Sequence, residues 1–319
     1  MRSKFGLINH AVLALGLLAP ALSRAAPVEK KAVYAFVTDS NIRQFETVIG
    51  GFSESMPGAD IRVLNLQGKG DITLLRKFVA ENNPTLIVAL GSISATTVAA
   101  LDAKTPVVFG MVLNHRRYAQ LKKNNITGVS MEIPARSWLI QFRLLFPELK
   151  GIAVPYNPDA SAEIIRDAEA AATAMQIRIL GVSVADPDTI RAKLALEKSG
   201  DYNGLWMVAD FKLYNNDSQA FVSLLEFANE NKKPLLGASE AFVKAGALFS
   251  VSINYQSLGS QLALVARQIL EDKTAPGAIA VSPPIGTYTV INKKTGRELL
   301  GNKFREEHLM HADKIYPEE

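Results

Sequence analysis

The sequence predicts two α/β lobes, each a parallel sheet covered by helices on both faces, joined by a hinge. Three observations predict it. Short strands that are apolar on both faces alternate with amphipathic helical stretches, as in parallel sheets buried on both sides. The alternation begins afresh near residue 151. The strands number about ten, more than one open twisted sheet usually holds.

The elements follow in order. Residues 33–37 read as the first strand, and 42–55 as an amphipathic helix stopped by Pro57-Gly58. A strand at 61–66, a helix at 71–81 and a wholly apolar strand at 86–90 come next. A helix at 94–101 and a strand at 107–111 follow, and Val129-Ser130-Met131 lies on a further strand. Short connections suit right-handed βαβ units. The second run has strands at 151–155, 177–184, 205–208, 235–236 and 248–253, with helices at 161–175, 189–198 and 218–231. A long helix at 258–270, a strand at 288–291 and a short helix at 294–300 complete it. The segment from Lys104 to Gly110 parallels that from Lys232 to Gly237. The expected organisation is a signal segment at 1–25, lobe 1 at 26–133 with 256–282 returning to it, and lobe 2 at 134–255. Residues 283–319 form a crossing segment and tail. Residues 133–137 carry the chain into lobe 2, so three crossings make a hinge and the hinge makes a cleft.

Composition narrows the function. The 319 residues are 48% hydrophobic and 21% charged, which suits packed cores and not disorder. Arg2 and Lys4 precede an apolar run at 11–22 that is too short for the ~20 residues of a bilayer span. Ser23-Arg24-Ala25 puts small residues at a cleavage site, so a cleaved export signal is expected. Losing Arg2, Lys4 and Arg24 takes the formal charge from +4 to +1. No basic stripe with interleaved aromatics argues for nucleic-acid binding. The chain has no cysteine, which excludes disulfides, thiolate catalysis, Cys-based zinc sites and a lipid anchor on cysteine. The expectation is a monomer free in a bacterial periplasm, not inserted in the membrane, and no cofactor is implied.

Ligands of parallel α/β sheets bind beyond the carboxyl ends of the strands. There the chain places Asp39 and Ser40, Ser92 and Ser94, Asn114, Tyr156 and Asn157, Asp210 and Phe211, Ser239 and Glu240, and Asn254 and Tyr255. Hydroxyls, amides, carboxylates and aromatics are what a small-molecule pocket needs. Gly91-Ser92-Ile93-Ser94 sits between a strand and a helix start, where free N–H groups and the helix dipole favour an anion. Those serines either cap their helix alone or also hold a ligand carboxylate. Asp210 either holds an ammonium or hydroxyl or serves as a turn residue or cap. Tyr156, Phe211 and Tyr255 are either stacking walls or ordinary packing. His308 and His311 lie three residues apart, but a hydrophilic C-terminal helix explains them better than a metal site does. No Gly-x-Ser-x-Gly elbow, Walker loop or Gly-x-Gly-x-x-Gly turn is present.

Several stretches also resemble a known family. They run from Lys77-Phe78-Val79 to Pro84-Thr85-Leu86-Ile87-Val88-Ala89, then Thr105-Pro106-Val107-Val108-Phe109, Ile126-Thr127-Gly128-Val129-Ser130 and Ile152-Ala153-Val154-Pro155-Tyr156-Asn157-Pro158. Ala245-Gly246-Ala247-Leu248, Ile253-Asn254-Tyr255 and Leu258-Gly259 complete the series. In order and spacing the chain resembles the ABC-transporter substrate-binding proteins of the tryptophan/tyrosine type. The resemblance implies a type I periplasmic-binding fold and delivery of a ligand to a membrane permease. It implies that Ser92 and Ser94 meet a ligand carboxylate and that Asp210 is the acid of the second lobe. Where the family has Thr-Asp-Pro, this chain has Leu113-Asn114-His115, which removes an acid that would hold a ligand ammonium.

The expected function is therefore that of a periplasmic solute receptor for an ABC importer, binding a small carboxylate-bearing or polar/aromatic molecule in the cleft. The same cleft would serve a membrane sensor kinase. An exported enzyme would need a general base, for which Asp39, Asp210 and Glu240 are the candidates.

Overall fold

The computed structural model describes residues 32–101 and 104–317. In the first half, β1 (Val33–Thr38), α1 (Arg43–Ser55), β2 (Asp60–Asn65), α2 (Ile72–Asn82), β3 (Leu86–Leu90), α3 (Ser92–Ala99), β4 (Val107–Val112) and β5 (Ile126–Ser130) follow in turn. The strands form one parallel sheet in the order β2-β1-β3-β4-β5. All five residues of the central β3 are buried, whereas Val63 on the edge strand β2 is 52% exposed.

The second half holds α4 (Ala135–Leu145), β6 (Gly151–Tyr156), α5 (Pro158–Thr173), β7 (Arg178–Ser183), α6 (Ile190–Leu196), β8 (Gly204–Trp206), α7 (Ala220–Glu230), β9 (Leu235–Leu236), α8 (Glu240–Lys244) and β10 (Phe249–Ile253). Then come α9 (Tyr255–Leu270), β11 (Thr287–Asn292), α10 (Lys293–Leu300), α11 (Glu306–Leu309) and β12 (Lys314–Tyr316). The second sheet runs β12-β11-β10-β9-β8-β6-β7 and is parallel except where β10 meets β11. Two parallel-dominated α/β sheets are the architecture expected from the alternating pattern.

Each sheet has a core on both faces. Phe36, Phe52, Leu90 and Leu262 fill one face of the first sheet, and Ala35, Leu75, Ile87 and Phe109 fill the other. In the second sheet Phe142, Phe146 and Phe249 cluster with ring centroids 5.1–6.4 Å apart. Helix α9 leaves β10 and packs on α1 and on β4 and β5 of the first sheet. Glycines permit the close approach. A Cβ on Gly51 would lie 2.1 Å from the Gln256 carbonyl oxygen, and one on Gly259 would lie 2.1 Å from that of Val48. The chain then stays by the first sheet, where Ser282 bridges Val129, before entering β11 of the second.

Several boundaries differ from the sequence reading for local reasons. Helix α4 occupies residues read as a connection. Its Trp138, Leu139, Phe142 and Leu145 are buried with helical spacing, and the connection ends at Pro134. Helix α5 starts at Pro158 because Asn157 caps it, accepting from the Asp159 N–H at 3.0 Å. Helix α9 starts at Tyr255 because Asn254 accepts from the Ser257 N–H at 3.0 Å. The short strand β12 carries no apolar run and was not anticipated. The expected signal over residues 1–25 lies outside the described residues. Among the described residues no helix is long and apolar enough to cross a membrane.

Candidate ligand-binding site

Segments beyond the strand ends of both sheets line one cavity of about 1080 Å³. From the first sheet come residues 113–116 after β4, Ser130 at the end of β5 and residues 131–134 beyond it. From the second come Trp206 at the end of β8 and residues 207–211 beyond it, 238–242 after β9, and Val251, Ser252 and Ile253 of β10. Helix α5 adds Glu163, Ile164 and Asp167. The walls are aromatic. Trp138 and Trp206 lie with ring centroids 5.9 Å apart, and Phe211, Tyr214, Phe242, Tyr255 and Tyr288 join them.

Six of the residues anticipated from sequence line this cavity: Asn114, Asp210, Phe211, Ser239, Glu240 and Tyr255. Asn114 adopts a left-handed backbone (φ 48°), and its amide Nδ2 donates to the Ala160 carbonyl of α5 at 3.0 Å. Two neighbours also reach across. Arg116 pairs with Asp167 at 3.3 Å, and the Arg117 guanidinium lies 4.4 Å from the Phe211 ring centroid. These three contacts tie the loop after β4 to the second sheet's elements.

The anticipated carboxylates are already engaged. Asp210 is buried, and its Oδ2 accepts from the Asn157 N–H at 2.7 Å. Its Oδ1 accepts from the Lys212 and Leu213 N–H groups at 3.0 and 3.1 Å. It thus fastens the loop after β8 to the start of α5. Glu240 accepts from the Tyr288 hydroxyl at 2.6 Å and from Lys244 and Lys314 at 2.8 and 2.9 Å. Burial acts to raise its pKa, but the hydrogen bonds from Lys244, Tyr288 and Lys314 outweigh it and hold the carboxyl at about 2. Burial, then Glu240, pushes the Tyr288 phenol up, and burial does the same to Tyr255. Both remain neutral donors at physiological pH.

Seven other residues anticipated from sequence, Asp39, Ser40, Ser92, Ser94, Tyr156, Asn157 and Asn254, do not line the cavity. The helix start read as an anion site holds an anion of the protein's own. The Asp39 carboxylate accepts from the Ile93 N–H at 3.1 Å, the Ser94 N–H at 2.6 Å and the Ser94 hydroxyl at 2.7 Å. Gly91 makes room, with φ 104° and a would-be Cβ only 2.3 Å from Asp39 Cγ. Asn157 and Asn254 are helix caps, and Tyr156 packs against the core of the second sheet. His308 is buried against Phe146 and Phe304. Burial lowers its pKa.

Sequence reading missed Glu132, Arg136, Trp138, Trp206 and Tyr288. Glu132 accepts from the Asn114 N–H and faces His115 Nδ1 at 3.3 Å. Trp138 and Arg136 were hidden by the unrecognised start of α4. Trp206 lies within a strand rather than beyond it.

The family model described as ABC transporter substrate binding protein matches residues 64–316. The chain belongs to this ABC transporter substrate-binding family. A tyrosine-binding protein of Clostridioides difficile (strain R20291) is 25% identical over 234 residues, covering 71% of this chain. The chain spans 66% of the length of that relative. Among solved structures, a ligand-free, open substrate-binding protein with adhesive properties from Clostridium difficile superposes with TM-score 0.70 at 18% identity, over 84% of this chain and 94% of that one. An ABC domain in complex with L-Trp from Streptococcus pneumonia gives TM-score 0.61 at 21% identity, over 88% and 99%. These structures show the shared fold, that of type I periplasmic binding proteins. Members of this substrate-binding family bind solutes rather than catalyse, and they are normally periplasmic or extracytoplasmic.

Proposed function

We propose that this protein is the solute-binding component of an ABC importer and holds a small molecule in the cavity between its two sheets. The two sheets act as lobes, 26–133 with 256–282 and 134–255 with the C-terminal segment, and they close about the three chain crossings. The closed pair is presented to a membrane permease. The leader at 1–25 sends the chain to the periplasm, where it works as a monomer. The cavity carries this reading: about 1080 Å³, aromatic walls and a few convergent polar groups are the features of a small-molecule site. Asn114, Phe211, Ser239 and Tyr255 contact the ligand, while Asp39, Ser94, Asp210, Asn157 and Asn254 hold the loops in place. Among the described residues no group in the cavity is set out as a nucleophile with an adjacent base, and binding without turnover is the expected activity.

Native mass spectrometry of protein purified from its own periplasm tests the proposal. The expected result is one small molecule per chain, released unchanged. A chain that carries no small molecule and binds none from a periplasmic extract overturns it.

A further inference from the structure

Two of the chain crossings between the sheets run side by side. Strand β10 ends at Ile253, paired with Thr287 where β11 begins. Asn254 follows Ile253 and caps α9, the helix that packs on α1 of the first sheet. Gly286 precedes Thr287, and its carbonyl accepts from the Asn254 N–H at 3.0 Å. The chain therefore leaves the second sheet at Asn254 and re-enters it at Gly286, and one hydrogen bond joins the two points.

The returning segment is held to the first sheet up to the residue before Gly286. The Ser282 N–H donates to the Gly128 carbonyl at 3.4 Å, and the Ser282 carbonyl accepts from the Ser130 N–H at 2.9 Å. Gln261, buried on α9, then clasps three further points. Its Nε2 donates to the Ser282 hydroxyl at 3.1 Å and to the Pro283 carbonyl at 2.8 Å. Its Oε1 accepts from the Ile285 N–H at 3.0 Å. Pro283 and Pro284 stiffen the clasped stretch, because each ring fixes its own φ. Gly286 alone stands between this clasp and β11. A Cβ there would lie 2.3 Å from Ser257 Cβ and 2.6 Å from Ser257 Oγ, in the first turn of α9. Its φ is outside the left-handed range, so the glycine serves close approach and not an unusual backbone. Ile253, Tyr255, Pro283 and Tyr288 on either side line the cavity, whereas Ser257, Gln261 and Gly286 do not.

From this arrangement we infer that the contact of Gly286 on Ser257, anchored by Gln261, is the pivot that sets the angle between the lobes and so the grip on the solute. The inference rests on the sheets acting as lobes around a solute, as proposed above. The three are positioning residues that act through the lobe angle. A methyl group at position 286 must retreat by about 1.1 Å, from 2.3 Å to the 3.4 Å of ordinary contact. A small displacement at a hinge grows with distance from it.

Pulsed dipolar spectroscopy on the spin-labelled full chain reads that angle directly. The sequence has no cysteine, so Lys69→Cys and Asp217→Cys place single labels at exposed positions, one on each lobe and neither in the cavity lining. Gly286→Ala is expected to shift the mean label distance by at least about 2 Å. Adding Ser257→Gly removes the obstructing atoms and is expected to restore the parent distance, which a general loss of stability would not do. An unchanged distance in folded Gly286→Ala, or a shift that Ser257→Gly does not reverse, overturns the inference. Should Gly286→Ala not fold, Gln261→Leu carries the test. Freeing residues 282–285 is expected to broaden the distance distribution, and one as narrow as the parent's overturns the inference. In native mass spectrometry a co-purifying molecule is expected on a smaller fraction of Gly286→Ala chains than of parent chains, and equal occupancy overturns the pivot's role in binding. The distances need no solute, so a failed pivot leaves the receptor reading intact. A parent chain that never carries a small molecule removes that reading while the distances still decide the pivot.

Discussion

Replacing Asp39 with alanine isolates the contribution of the carboxylate that fills the start of α3. The substitution strips partners from two backbone N–H groups and from the Ser94 hydroxyl, which were held at 2.6–3.1 Å. Ser94 is fully buried, so water does not readily replace the lost acceptor. An orphaned buried donor costs about 1–3 kcal/mol, and loss of a helix cap about 1 kcal/mol. The two overlap, because they describe the same bonds, and a net loss of about 2–4 kcal/mol is expected. For a chain of this size that lowers the thermal midpoint by roughly 3–7 °C. Asp39→Asn keeps one acceptor oxygen and should lose about half as much. Urea unfolding followed by circular dichroism measures both. An Asp39→Ala variant within about 0.5 kcal/mol of the parent would refute the reasoning. The helix start would then be available to a ligand rather than committed to the fold.

Further predictions follow the same logic. Gly51→Ala places a methyl group about 2.1 Å from the Gln256 carbonyl, so α1 and α9 must separate. A loss of about 1–3 kcal/mol in chemical unfolding is expected, and an unchanged midpoint would mean that the helices part freely. Glu240 has its folded pKa depressed to about 2 from 4.5, so its stabilising effect is complete above pH 4.5 and is lost as pH falls towards 2. Glu240→Gln should flatten the stability profile across that window, and parallel profiles for parent and variant would count against the network. Arg117→Ala removes the cation–π contact with Phe211, worth about 0.5–1 kcal/mol at an exposed site, and should weaken ligand affinity by about two- to fivefold in calorimetry. Unchanged affinity would show that this contact does not favour the ligand-bound form.

The strands were legible because apolar runs such as Leu86–Leu90 have no polar face to present to water. Helix starts were less so. A cap supplied from within the chain's next few residues, as at Asn157, leaves a local signature. The cap of α3 comes from Asp39, 54 residues before Ile93, and no window along the sequence contains both. The same distance problem governs the site. Asn114, Phe211 and Tyr255 were found because they stand just past strands. The exhaustion of Asp210 by Asn157, Lys212 and Leu213 needed the fold to bring two loops together. Helix α4 was lost to the expectation of a linker, and with it went Arg136 and Trp138.

The chain has two tryptophans, Trp138 and Trp206, and both line the cavity. Their emission therefore reports directly on whether a solute occupies it. The stripped protein titrated with the molecule recovered from its own periplasmic preparation should show a saturable change in tryptophan emission at one equivalent, matching the calorimetric stoichiometry. Binding seen by calorimetry with no change in emission would place the solute elsewhere and contradict the account.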